Sequence, residues 1–144
     1  MKRLCVGDGV VRWVEERVKG RFGPARGIGL ERRVGAQWRM VAGVAYESHN
    51  GPNVVCHIAI DGAHAMTREW LRVIFDYPFN QIGVRRITVG VEEGNARSRR
   101  LVEHMGFRLE ARLDRAAKSG DIFIYRMFRD ECRFIARKEE RKAA

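Results

Sequence analysis

The chain has 144 residues, 45% of them hydrophobic, with 28 Lys+Arg against 18 Asp+Glu for a formal net charge of +10. A single domain of this length buries roughly two-thirds of the surface its unfolded chain exposes, which excludes global disorder. No window reaches the roughly 18 consecutive apolar residues of a bilayer-spanning helix, and the opening Met1 to Asp8 turns charged before an apolar signal region develops, so one soluble, cytoplasmic domain is expected.

Asp8 to Arg21 carries Val10, Val11, Val14 and Val18 at helical spacing, with Asp8 as the expected N-cap and Gly20 and Gly23-Pro24 as the stop. After Gly27 to Arg33, the run from Gln37 to Ser48 alternates Trp38, Met40, Ala42, Val44 and Tyr46 with their neighbours, the period of a strand. The cluster His49-Asn50-Gly51-Pro52-Asn53 then predicts a turn, so Gln37–Ser48 and Asn53–Asp61 read as an antiparallel hairpin. The second arm is apolar almost throughout, as in a central strand covered on both faces.

From His64 to Tyr77 the spacing of Trp70, Leu71, Ile74 and Tyr77 predicts a helix that stops before Pro78. Arg85 to Val91 is a short β-branched strand, Asn95 to His104 a helix ended by Gly106, and Phe107–Ala117 with Asp121–Phe128 a strand pair. Arg129 to Ala144 is charge-rich with a helical stretch, and a charged tail is expected from about 130. This order predicts a single α/β (α+β) domain over 1–144, a mixed, mostly antiparallel sheet with helices on both faces.

Charge is unevenly placed. Residues 1–60 hold 10 basic and 5 acidic side chains, residues 61–94 hold 4 and 5, and residues 95–144 hold 14 and 8. Arginine outnumbers lysine 23 to 5, which suits planar recognition of phosphate or carboxylate. Cys5, Cys56 and Cys132 lie far apart without metal-ligand spacing, so reduced thiols and no metal site are expected.

The segments His64 to Phe79, Gly83 to Ile87, Glu92-Glu93-Gly94-Asn95-Ala96-Arg97-Ser98-Arg99-Arg100-Leu101 and His104-Met105-Gly106-Phe107 resemble the second half of a GCN5-related N-acetyltransferase. The resemblance covers roughly residues 54–130 and is strongest to the branch that acetylates protein N-terminal amines, such as ribosomal-protein-alanine acetyltransferases. Its most specific element is Asn95-x-x-Ser98 followed by Met105-Gly106-Phe107.

The resemblance implies acetyl-coenzyme A as cofactor and an amine, on a protein or a small molecule, as acceptor. It implies that the pantetheine arm pairs with the strand from Cys56 to Asp61 at Ile58 and Ile60, and that the pyrophosphate rests on the N–H groups of Gly62-Ala63-His64-Ala65-Met66-Thr67. The family pattern of Gln/Arg-x-x-Gly-x-Gly/Ala is met here by Gly62, Ala65 and Thr67, a degenerate loop. Many members carry a Tyr four residues before the glycine of the Gly-Phe pair; Val102 stands there, which leaves Ser98 or a water to protonate the thiolate. Asn95 and Ser98, one turn apart at the start of their helix, suit an N-cap and its N3 residue; the resemblance implies that Asn95 also contacts the cofactor or acceptor, and Arg99, with Arg97 and Arg100 beside it, is a candidate for the 3′-phosphate.

Transfer to an amine needs a proton acceptor. His57 on the central strand, Glu47 at the end of the preceding strand and Asp61 are the candidates. Direct attack is expected over an acetyl-cysteine route, because Cys56 lies in an apolar strand without an activating partner. Two other readings remain open: a catalytically silent module of this fold that binds an acidic partner through its basic surface, and nucleic-acid binding, which no recognised motif supports. An exposed edge among the last two strands is available to pair a homodimer.

Overall fold

The computed structural model describes residues 1–135. Its sheet has seven strands, β1 (Lys2–Val6), β2 (Ala25–Val34), β3 (Gln37–Glu47), β4 (Asn53–Ile60), β5 (Arg86–Glu92), β6 (Arg108–Ala117) and β7 (Gly120–Phe128). They lie in the order β1-β2-β3-β4-β5-β7-β6. Every neighbouring pair is antiparallel except β4 with β5, which is parallel. The helices are α1 (Asp8–Val18), α2 (Arg68–Asp76) and α3 (Ala96–Met105).

Alternation along the strands divides the interior into two cores. Val44, Val54, Cys56, Ile58, Ile87, Val89 and Val91 face one side and pack with Trp70, Ile74 and Phe75 of α2 and Val102 and Met105 of α3. On the opposite face Ala45 and Ala59 pack against Val10 and Val14 of α1. Helices therefore cover both faces, and α1 sits very close to its strands. A Cβ built on Gly27 would lie 2.8 Å from the Val10 Cβ, and one on Gly43 2.9 Å from a Val14 methyl.

The β3–β4 hairpin forms around Gly51 at φ +105°, with Asn50 Oδ1 accepting from Asn53 N–H at 2.9 Å. Several boundaries depart from expectation for local reasons. β1 is an exposed edge strand that buries too little to leave a periodic signature. Gly7, not Asp8, caps α1; Asp8 is its first residue, where a carboxylate favours the helix dipole. The expected helix from His64 begins as a short 3₁₀ turn, Ala63–Ala65, and becomes α-helical only after the Thr67 cap. The α-helix ends at Asp76, before Pro78 as expected. A single π turn, Tyr77–Gln81, carries on, and Pro78 is tolerated in its first turn because the missing N–H has no helical partner there.

Phe134 and Ile135 pack on the main core and Cys132 is buried in it, so the expected tail begins inside the fold; the helical stretch expected beyond it lies outside the described residues. β6 is the outer strand of its side, almost wholly exposed, with register shifts at Leu109/Ala111 and Leu113/Ala117 of the kind that discourage pairing to another chain. Among the described residues no helix is long and apolar enough to cross a membrane.

The close seating of α1 predicts that Gly27→Ala lowers the unfolding free energy by about 1–3 kcal/mol in urea, since the Val10 Cβ cannot rotate away. Gly90→Ala, whose new methyl would meet nothing nearer than 3.6 Å, stays within about 0.5 kcal/mol of the parent. Equal midpoints for the two variants would contradict this packing.

Candidate active site

β4 organises the site through the direction of its backbone groups. At one end the Val41 carbonyl accepts from Asp61 N–H at 2.8 Å, and at the other the Pro52 carbonyl accepts from Arg86 N–H at 3.0 Å. Both bonds set the same phase: odd-numbered residues turn their polar groups to β3, even-numbered ones to β5. The β4–β5 ladder spans only Asn53↔Arg86 to Val55↔Thr88, while β4 stays registered with β3 as far as Ile60↔Ala42. Ile58 and Ile60 therefore present backbone N–H and C=O groups to a gap with no strand opposite. A cavity of about 800 Å³ fills the gap, within the range of about 300–1,000 Å³ usual for small-molecule sites.

Ile58, Ile60, Gly62 and Met66 line one side of this cavity, and Asn95, Ser98, Leu101 and His104 the other. Asn95 caps α3, its Oδ1 accepting from Ser98 N–H at 3.1 Å, so the cap fixes both residues at the cavity wall. Arg97 reaches across the gap and donates to the Ile60 carbonyl at 3.3 Å, and Arg100 also lines it. Arg99 does not. Its guanidinium lies 4.0 Å from the Phe123 ring centre and donates to the Tyr125 hydroxyl, which in turn donates to Glu103.

The loop between β4 and α2 has donors to spare. Ala65 N–H bonds to the Gly62 carbonyl at 3.0 Å and Thr67 N–H to the Ala65 carbonyl at 2.9 Å. The N–H groups of Gly62 and His64 have no acceptor among the described residues. Thr67 is the α2 cap, its hydroxyl accepting from Trp70 N–H at 3.2 Å, and Ala65 is fully buried. The exposed His64 folds its ring over Gly62, close enough that a Cβ there would stand 2.8 Å from it.

His57 and Glu47 sit on the α1 face. The register Ala45↔His57 and Glu47↔Val55 makes them diagonal neighbours, and His57 Nε2 lies 2.6 Å from a Glu47 carboxylate oxygen. Phe22 stacks on the imidazole at 3.8 Å between ring centres. Burial lowers the His57 pKa below its ordinary value of 6.5, and the Glu47 hydrogen bond and charge oppose this more weakly. The imidazole is thus neutral near pH 7. With Nε2–H donated to the carboxylate, the lone pair is assigned to Nδ1. Glu47 orients the ring and does not need to act as the base itself.

Asp61 is engaged elsewhere: both its oxygens accept from Arg17, at 2.9 and 3.2 Å, and that guanidinium stacks 3.6 Å above Trp13. Burial pushes the Cys56 thiol far up, which disfavours a thiolate there. The pairing of Arg17 with Asp61, the stacking of Phe22 and the reach of Arg97 escaped the sequence reading. The hairpin register alone would have brought Glu47 beside His57.

No family model and no curated protein matches the chain. Solved structures do. Mutant forms of the spermidine/spermine N-acetyltransferase SpeG from Vibrio cholerae superpose with a TM-score of 0.68 at 15% identity, covering 90% of this chain and 96% of that one. The same enzyme in complex with CoA and spermine, also 15% identical over 90% and 96%, resembles it comparably. A chimera of that enzyme with hSSAT gives 0.68 at 17% identity over the same shares. The fold is that of the GCN5-related N-acetyltransferases. Within it, the splay of β4 from β5 and the capped start of α3 meet at one cavity.

The His57 environment predicts an NMR titration midpoint below 6.5 for this ring, and a still lower one in Glu47→Gln, because the lost carboxylate had favoured the imidazolium. A depressed folded-state pKa means stability is level above pH 6.5 and is lost as pH falls from there toward the folded-state value. His57→Gln removes that slope. A midpoint at or above 6.5 would contradict the burial argument.

Proposed function

We propose that the chain is an acetyl-coenzyme A-dependent N-acetyltransferase that acetylates an amine by direct transfer. The observation that carries this reading is the unpaired edge of β4 at Ile58 and Ile60, facing a cavity whose far wall holds Asn95 and Ser98. An extended arm with alternating amides satisfies such an edge as an added strand would, and phosphates suit the free N–H groups of Gly62 and His64. Arg97 and Arg100, in preference to Arg99, are the cations available to phosphate. Bound acetyl-coenzyme A supplies an electrophilic thioester carbonyl and a thiolate leaving group.

The chain's own residues then have distinct tasks. An amine arrives protonated at neutral pH, and His57 Nδ1 takes its proton directly or through one water. Glu47 holds the ring and stabilises the imidazolium that results. Ser98 is the hydroxyl on the cavity wall able to return a proton to the sulfur; no tyrosine stands at the family's position, since Val102 is buried in the core. A thiolate leaves readily, so a weak acid is enough. The resemblance carried by Asn95, Ser98 and Met105-Gly106-Phe107 supports an N-terminal-amine acceptor, whereas the solved neighbours are spermidine/spermine N-acetyltransferases.

Acetyl-coenzyme A at about a hundred times its Kd should add about 2.7 kcal/mol of stability, a Tm rise of roughly 5–10 °C at this chain length, with no rise from adenosine. His57→Gln should keep that shift and lose about a hundredfold in kcat. No shift at millimolar cofactor would remove the reading and leave a silent module of the same fold.

A further inference from the structure

Resting on the acetyltransferase reading, we infer that the acceptor is a monoamine carrying an anionic group, a carboxylate or phosphate, which docks on the turn from Lys19 to Phe22, and that polyamines are excluded. The argument begins at His57. Its side chain keeps 24% of its surface exposed on the α1 face, and Phe22 stacks on it. An amine that gives its proton to this ring must therefore pass beside the loop that carries Phe22. That loop is cationic. Lys19 and Arg21 are exposed and form no ion pair among the described residues, and no acidic residue occurs between Glu16 and Glu31. Arg12 adds a third cation to the cavity of about 790 Å³ bounded by Lys19, Arg21 and Phe22.

The carboxylates that could hold a second or third ammonium group are already committed. Glu47 binds His57, both oxygens of Asp61 bind Arg17, and Glu15 accepts from Phe22 N–H at 2.8 Å. Glu16 remains, one uncommitted carboxylate among three cations. A polyamine would lose its hydration to meet repulsion, whereas an amine with an anion a few bonds away gains attraction at the loop while its nitrogen lies at His57. The chain's charge excess supports the same choice, since it steers anions and repels polycations.

The test measures thiol release from acetyl-coenzyme A with matched acceptors: glucosamine 6-phosphate against glucosamine, glutamate against glutamine, the peptide Ala-Glu-Ala against Ala-Gln-Ala, and spermidine alone. At least one anionic member should exceed its neutral partner about tenfold in kcat/KM, an advantage that shrinks with added salt and identifies which anion is used. Arg12→Glu with Arg21→Glu should abolish or reverse the preference without changing the Tm rise caused by acetyl-coenzyme A. Spermidine as the best acceptor, equal rates within every pair, or binding of acetyl-coenzyme A without turnover of any acceptor overturns the inference and leaves the cofactor site standing. Absence of acetyl-coenzyme A binding removes the parent reading instead.

Discussion

The site depends on one constraint in the sheet: β4 and β5 pair for three residues and then separate. The gap cannot close by a small adjustment, because each strand is held on its far side. β4 remains registered with β3 to Ile60↔Ala42, and β5 with β7 to Glu92↔Ile122. Nor is the gap filled by side chains alone, since the groups left over at Ile58 and Ile60 are backbone donors and acceptors that need polar partners. Arg97 satisfies one of them, the Ile60 carbonyl, from across the cavity. The arrangement holds open a polar strand edge inside a largely apolar fold.

The +10 charge looks different once the partners are known. Many arginines serve the fold: Arg86 and Arg126 flank Glu110, Arg129 binds the Phe79 carbonyl, and Arg133 donates to the last carbonyls of α3 at His104 and Met105. Planar guanidinium groups suit these multiple, fixed contacts better than lysine would, which accounts for the arginine bias. Arg100 on the cavity wall and Lys19 and Arg21 on the turn after α1 make no such contact among the described residues. The segment from Asp61 to Gly94, which carries the loop between β4 and α2, is close to neutral, and the donors that loop offers are backbone amides.

Elements with strong local signals were legible in the sequence. The Asn50-Gly51 turn, the Asn95 cap with Ser98 three residues on, and the Gly106 stop at φ +107° each encode their geometry within a few residues. What escaped was set by distance or by weak burial. β1 exposes nearly all its residues, and the π turn through Pro78 is steadied by Asp76, which binds the side chains of Asn80 and Gln81. The sequence could nominate His57, Glu47 and Asp61 as bases but not rank them. Ranking required knowing that Glu47 touches His57 and that Arg17, 44 residues away, occupies Asp61.

Amide hydrogen exchange along β4, with and without acetyl-coenzyme A, tests the central constraint most directly. In the free protein the Ile58 and Ile60 amides should exchange much faster than those of His57 and Ala59, which face β3, and acetyl-coenzyme A should slow the first pair while leaving the second unchanged. Equal protection of all four in the free protein, or no change at Ile58 and Ile60 with acetyl-coenzyme A, would contradict the account.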